Sequence, residues 1–361
     1  MILDRQRLDH HLPIRSDVAG AGDRPERPLD LLRDLRLARG VGLLPFRHQL
    51  AHLRTGFLRD AVLLGAQVLL LGQRLAATLV QVEDAADVDA HGLLPGAFSE
   101  RATSTLKPRD QHIRYLNEAR AGEPLIMRAG VMETTETSAL LYQQLDHADG
   151  RPCATFRTWV DHIELDTGIA FPWSKPMLDE LAGYPAEPIE TGAPRSIDFN
   201  ATPAAAATMA DANKIEALTI GRGVVPPAHC DVYGDMLPEM FVARVSDSVG
   251  VFLNDWRHTL ERNLGGEAAR DRIGGAVIES RWVYRRWPRA GDRFVIRTAI
   301  ASLSENTQAY HHWLLDPRSG KAWGTNHTVA IAFDLEKRRL HKITQEDQEA
   351  MRALAPMGLF V

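Results

Sequence analysis

Cysteine is nearly absent: Cys153 and Cys230 are the only two in 361 residues. Two thiols exclude a disulfide framework, so a reducing, cytoplasmic location is expected. A basic surplus is missing as well. The formal net charge of −5 gives no general attraction to nucleic acid or to an anionic membrane surface. No apolar run suffices to span a bilayer, because the longest, residues 61–72, contains Gln67 and is closed by Gln73 and Arg74. The opening Met1-Ile2-Leu3-Asp4-Arg5 lacks the basic-then-apolar order of a signal peptide. Neither nucleic acid nor membrane is an expected partner.

Clustered metal ligands are also lacking. His48 and His52 share one helical face, but the glutamate of the zinc-protease motif does not accompany them. His311 and His312 are adjacent on a strand-like stretch and point to opposite faces, so they do not serve one site. Gly221-Arg222-Gly223 is too short to be a nucleotide loop. No metal and no organic cofactor is expected.

The last shortage is regional. Between Met1 and Leu106 there is no Lys, Tyr, Trp, Asn or Cys, while all seven tryptophans and all six tyrosines lie beyond. Residues 1–106 therefore read as an atypical Leu/Arg/Ala-rich segment, foreign to the rest of the fold or disordered at its start. Helical stretches within it fall at about 29–38 and 48–80.

What remains has the makeup of a soluble globular protein, with 45% hydrophobic and 25% charged residues over the whole chain. Strand-like stretches occupy 112–117, 124–132, 137–147 and 153–165, with turns at Ala121-Gly122 and Asp149-Gly150. A second alternating region runs from about 276 to 335. The two regions are copies. Arg120-Ala121-Gly122-Glu123 matches Arg289-Ala290-Gly291-Asp292 at an offset of 291 − 122 = 169, which also aligns Tyr115 with Tyr284. Gly150-Arg151 then matches Gly320-Lys321 with one residue inserted. The division is 1–106, a first repeat at 107–165, a Pro/Ala-rich connection at 166–212 with a short helix near 176–181, and a second domain at 213–361. Thr344-Gln345-Glu346-Asp347 reads as the capped start of a last helix reaching Leu354.

Only the second repeat is preceded by an acidic turn and a helix, His229-Cys230-Asp231-Val232-Tyr233-Gly234-Asp235-Met236 and then Pro238, a good first helical residue. Phe241, Val245, Val249, Phe252 and Trp256 follow at helical spacing. Asp231-x-x-Gly234 resembles the Asp-x-x-Gly-His-Met turn of hotdog acyl-CoA thioesterases. That resemblance implies an α+β double hotdog in which antiparallel sheets each wrap a central helix. It also implies hydrolysis of an acyl-CoA partner, with a homo-oligomer compatible. By the same resemblance Asp231 is the base or nucleophile, with Asp235 as a second acid beside it. Free N–H groups near Gly234–Met236 would receive the oxyanion, and Tyr233, Gly234, Met236, Phe241 and Val245 would meet the substrate. Arg281, Arg285 and Arg286 could meet the coenzyme A phosphates, yet a solvated strand face is the simpler account of them.

The departures are specific. Asp235 stands where many of these thioesterases have His, and Leu237-Pro238 follows the Met. Subtracting 169 from Asp231 gives Val62, with no Asp-x-x-Gly nearby, so the first helix is either supplied by residues 48–80 or absent. At most one site per chain is expected. The plain alternative for Asp231 is closure of an Asx turn; for the protein, it is a non-catalytic acyl-binding or structural hotdog. A hotdog hydratase is disfavoured because the expected Asp-x-x-x-x-His is missing after Asp231. Cys230 reads as a small buried residue and His147 as a strand end that could face a cleft.

Overall fold

The computed structural model describes residue 94 and residues 103–120, 122–264 and 272–361; within the helix at 238–264 the described side chains end at residue 250, apart from Phe252. The expectations about residues 1–106, including a helix at 48–80, thus fall outside the described residues almost entirely, as does the side chain of Trp256.

Four strands come first: β1 (Ser104–Tyr115), β2 (Leu125–Thr134), β3 (Ser138–His147) and β4 (Pro152–Glu164). A connection carrying α1 (Lys175–Leu181) and α2 (Met209–Lys214) leads to β5 (Leu218–Val224) and the 27-residue α3 (Pro238–Leu264). Then β6 (Ile273–Tyr284), β7 (Arg293–Leu303), β8 (Gln308–Leu315) and β9 (Ala322–Asp334) repeat the opening meander, before β10 (Arg339–His341) and α4 (Gln345–Leu354). β1 and β6 begin and end 169 residues apart, and β4 and β9 begin 170 apart, as the single inserted residue requires. The turn glycines Gly122 and Gly291 both sit at positive φ, +86° and +93°, where a side chain would be strained. Sequence and backbone thus repeat together.

The two halves join edge to edge rather than as separate sheets. The order is β2-β3-β4-β1-β6-β9-β8-β7-β5, antiparallel throughout, with β10 on β9. The seam is β1 against β6, from Asp110 opposite Val283 to Arg114 opposite Glu279. β1 starts eight residues earlier than the alternation suggested. Pro108 obscured it: the proline sits beside a bulge, on a stretch that β6 does not pair, where its missing N–H costs no ladder bond.

The apolar stripe of α3 fills the second half. Phe241 is ringed edge-on by Trp282, Tyr284 and Trp287, while Phe252 meets Tyr310 in the same way. Each such fully buried side chain contributes roughly 1.5–3 kcal/mol. Gly324 on β9 gives Phe241 its space, since a Cβ there would lie 3.0 and 3.1 Å from two ring carbons. Gly324→Ala is therefore expected to destabilise by about 1–3 kcal/mol, read as a lower melting temperature; an unchanged one would show that the ring has room to move.

The connection seals the outer face of the seam. Arg195, Ser196 and Ile197 donate their N–H groups to the Glu279 carboxylate. Arg281 forms a two-point pair with Asp110 and bonds the carbonyls of Asp198 and Ala201. α1 starts after Ser174, whose side chain accepts from Met177 N–H, and α4 starts in a Thr344–Asp347 capping box. The fold is a double hotdog built from two tandem repeats. Among the described residues no helix is long and apolar enough to cross a membrane.

Candidate active site

The acidic turn between β5 and α3 is closed by its own backbone. Asp231 N–H donates to the Asp235 carbonyl at 2.7 Å, and Gly234 N–H donates back to the Asp231 carbonyl at 3.0 Å. Gly234 makes this possible at φ +85°. Asp231 then uses one carboxylate oxygen for the turn: Oδ1 accepts the N–H groups of Tyr233 and Asp235, both at 2.9 Å. That is the Asx-type closure open to any aspartate here.

The other oxygen faces something the sequence reading missed. Lys107, on β1 of the first repeat, places Nζ 2.8 Å from Asp231 Oδ2 and 3.0 Å from Asp235 Oδ2. Lys107 is only 7% exposed. Its ammonium lies 5.8 Å from the Tyr233 ring centre and 5.1 Å from that of Trp287, close enough for cation–π attraction. Trp287 in turn stacks on Tyr284. The loop after β6 clamps the turn as well: Met236 N–H donates to the Pro288 carbonyl, and Arg289 Nε stands 3.3 Å from Asp235 Oδ1. Two carboxylates and an ammonium thus converge where the repeats meet, held by β1, the turn and the loop behind β6.

Asp231, Asp235, Tyr233 and Gly234 come together here as partly buried groups. Met236, Phe241 and Val245 belong instead to the core cluster behind them. Phe241 has no exposed surface, so a ligand reaches it only by parting core contacts.

The expected oxyanion donors require correction. Tyr233, Gly234, Asp235, Met236 and Leu237 all donate their N–H groups within the protein, and Pro238 has none. A turn pinned this tightly must satisfy its own backbone. The phosphate-binding expectation fails for Arg281, which is 2% exposed and committed to Asp110. Arg285 is half-buried against the Ala204 carbonyl and Thr325, and only Arg286 of the three is exposed. Cys230 is partly buried, and burial, with Asp231 and Asp235 close by, pushes its thiol up, away from the lowered pKa of a reactive thiolate. His147 pairs with Glu123 at the end of β3 remote from the Ser138–Asp161–Lys107 end. Among the described residues no group of three or more His, Cys, Asp or Glu side chains is set to hold a metal ion.

Comparison with known proteins agrees with the fold. The profile of the thioesterase-like superfamily matches residues 76–182 and 225–353, more than half of the chain. The first stretch begins inside the atypical N-terminal segment. No curated protein matches. Among solved structures, the 12:0-ACP thioesterase of Umbellularia californica superposes with a TM-score of 0.53 at 11% identity, over 72% of this chain and 86% of that one. An acyl-ACP thioesterase of Bacteroides thetaiotaomicron VPI-5482 gives 0.50 at 12%, over 71% and 88%. At such identities the likeness is one of fold.

Proposed function

The chain belongs to the thioesterase-like superfamily, and from that premise we propose that it hydrolyses an acyl-CoA thioester at the Asp231 turn. The observation that carries this reading is the state of the Asp231 carboxylate. Oδ1 is fixed by two backbone N–H groups, while Oδ2 is presented at the seam between the repeats. One oxygen holds the geometry and the other works.

The chemistry follows from that division. Thioester hydrolysis needs water to be deprotonated as its oxygen attacks the carbonyl carbon. In this reading Asp231 Oδ2 takes that proton and later returns it to the departing thiolate, leaving a carboxylic acid and a thiol. The turn ends at the first residue of α3, so the positive end of that helix dipole favours negative charge at this place. Asp235, held by Lys107 and Arg289, is the second acid and sets the local charge balance. Tyr233 and Gly234 border the acyl group; Met236, Phe241 and Val245 back it.

A non-catalytic acyl-binding protein is the second reading. It is favoured by the Asx closure at Asp231 and by the lack of a spare N–H from Tyr233 to Leu237. One experiment separates the two. Purified protein is offered short, branched, aromatic and long acyl-CoAs, with the same acyl groups on acyl carrier protein in parallel, and thiol release is followed. Release from acyl-CoA is the expected result. Release from the carrier protein alone would change the proposed carrier, and no release from either would favour the binding protein.

A further inference from the structure

We propose that Lys107 is a catalytic residue, with its ammonium receiving the thioester carbonyl oxygen as negative charge builds there. The proposal rests on the hydrolytic reading of Asp231 and names the group that reading lacks. Attack on a thioester moves the carbonyl π pair onto oxygen, and that charge needs a donor already in place. From Tyr233 to Leu237 no backbone N–H is free to supply one, because each is engaged within the protein. Lys107 does.

An ammonium has three hydrogens. Asp231 Oδ2 at 2.8 Å and Asp235 Oδ2 at 3.0 Å account for two of them, leaving the third to a ligand. The rings of Tyr233 and Trp287 lie 5.8 and 5.1 Å from Nζ, so the charge is held in place beside apolar walls. Burial strengthens its pull on a developing oxyanion relative to the same charge in water. The base and the electrophile would thus stand next to each other, on opposite sides of the repeat junction.

Among the described residues the repeat does not copy this arrangement. Lys107 pairs with Asp161 on β4, and Ala276 pairs with Ile331 on β9. Those positions are related by the repeat offsets, 276 − 107 = 169 and 331 − 161 = 170. Where the first half has an ammonium, the second has a methyl group. Among the described residues the site is therefore composite and single, with its cation from one repeat and its acids from the other.

The step balances without any co-reactant. Water oxygen bonds to the carbonyl carbon, Asp231 Oδ2 takes the water proton, and the carbonyl π pair becomes an oxyanion hydrogen-bonded to Lys107 Nζ. The oxyanion pair then re-forms C=O, the C–S bond breaks with its pair on sulfur, and the Asp231 proton passes to the thiolate.

The test uses the full chain. Lys107→Met is expected to lower kcat roughly 10²- to 10³-fold, the scale for losing one oxyanion donor, with KM changed only a few-fold. Lys107→Ala should regain part of its rate as propylamine is added, which a purely structural brace would not do. Removing the cation deprives both acids of their shared counter-ion and leaves only Arg289 beside Asp235, so Lys107→Met combined with Asp235→Asn guards against loss of fold and is compared with Asp235→Asn alone. A folded Lys107→Met, or the double variant, at its reference kcat would overturn the proposal, as would a loss that amine never restores. Wild-type protein inactive on every thioester would sink the Asp231 reading and this proposal together; an active wild type with an equally active Lys107→Met sinks only the latter.

Discussion

Replacing Asp231 with asparagine is expected to lower kcat by about two orders of magnitude or more, the usual scale for losing a general base. The amide keeps an oxygen for the N–H groups of Tyr233 and Asp235, so the turn retains both of its 2.9 Å bonds. What disappears is the charged Oδ2. Lys107 keeps Asp235 as its counter-ion, so the ammonium is not stranded and the variant should remain folded. If Asp231 only closed the turn, asparagine would serve almost as well. Asp235→Asn is the paired control, expected to keep kcat within about tenfold of wild type, a smaller loss than a missing base causes. Thiol-release kinetics with a thermal melt on each variant decide the matter. The reverse ranking would make Asp235 the base.

The second large effect is on stability and lies on the outer face of the seam. Glu279 is buried and accepts from His112 Nε2 at 2.8 Å, from Arg114, and from the N–H groups of Arg195, Ser196 and Ile197. One carboxylate thus ties both repeats to the crossing segment. Glu279→Ala takes the acceptor from His112 Nε2 and from three backbone N–H groups, and leaves the Arg114 guanidinium with the Ile278 carbonyl but no counter-ion here. Breaking a buried pair in this way costs about 3–5 kcal/mol, a large share of the roughly 5–15 kcal/mol that holds a domain together. A melting temperature within a few degrees of wild type would contradict this account.

The same group makes a pH prediction. Burial pushes the Glu279 carboxyl upward, but the bonds from His112, Arg195 and Ser196 outweigh it and hold the group at about 2, against 4.5 ordinarily. Burial pushes His112 below 6.5 despite Glu279 beside it. Both groups bind protons less readily folded than unfolded, so the unfolded chain takes up more protons as the pH falls. Their stabilisation is present above the unfolded values. It should be lost first below about 6.5, then through 4.5 towards about 2. Melting temperature should fall steadily from pH 7 to pH 3, and Glu279→Gln should flatten the lower part of that curve.

Local signals in the sequence carried much of the fold. The paired turns at Gly122 and Gly291, the helix start at Pro238 and the capping box at Thr344 lie where the spacing puts them, because each is decided within a few residues. The repeat extended that reach to whole strands. The acidic turn was legible for the same reason, since Asp231, Gly234 and Asp235 are neighbours.

Long-range pairing was not legible. Lys107 meets Asp231 across 124 residues, and Arg281 meets Asp110 across 171. Nothing near Lys107 announces its face, because Pro108 interrupts the alternation that would have assigned one. Arg281 looked like a solvated arginine for the same reason: its counter-ion lies on the other repeat. Whether an N–H is free depends on its acceptor, and the Pro288 carbonyl that takes Met236 N–H lies 52 residues on (288 − 236).

The most direct measurement of the central claim is a crystal structure with an acyl-CoA analogue whose thioester sulfur is replaced by a methylene group. Such a ketone keeps the carbonyl and cannot be hydrolysed. Its oxygen is expected within hydrogen-bond reach of Lys107 Nζ, roughly 3 Å, with the carbonyl carbon beside Asp231 Oδ2 and room for one water between them. An analogue seated away from the Asp231 turn, with Lys107 still bonded only to its two acids, would contradict the claim.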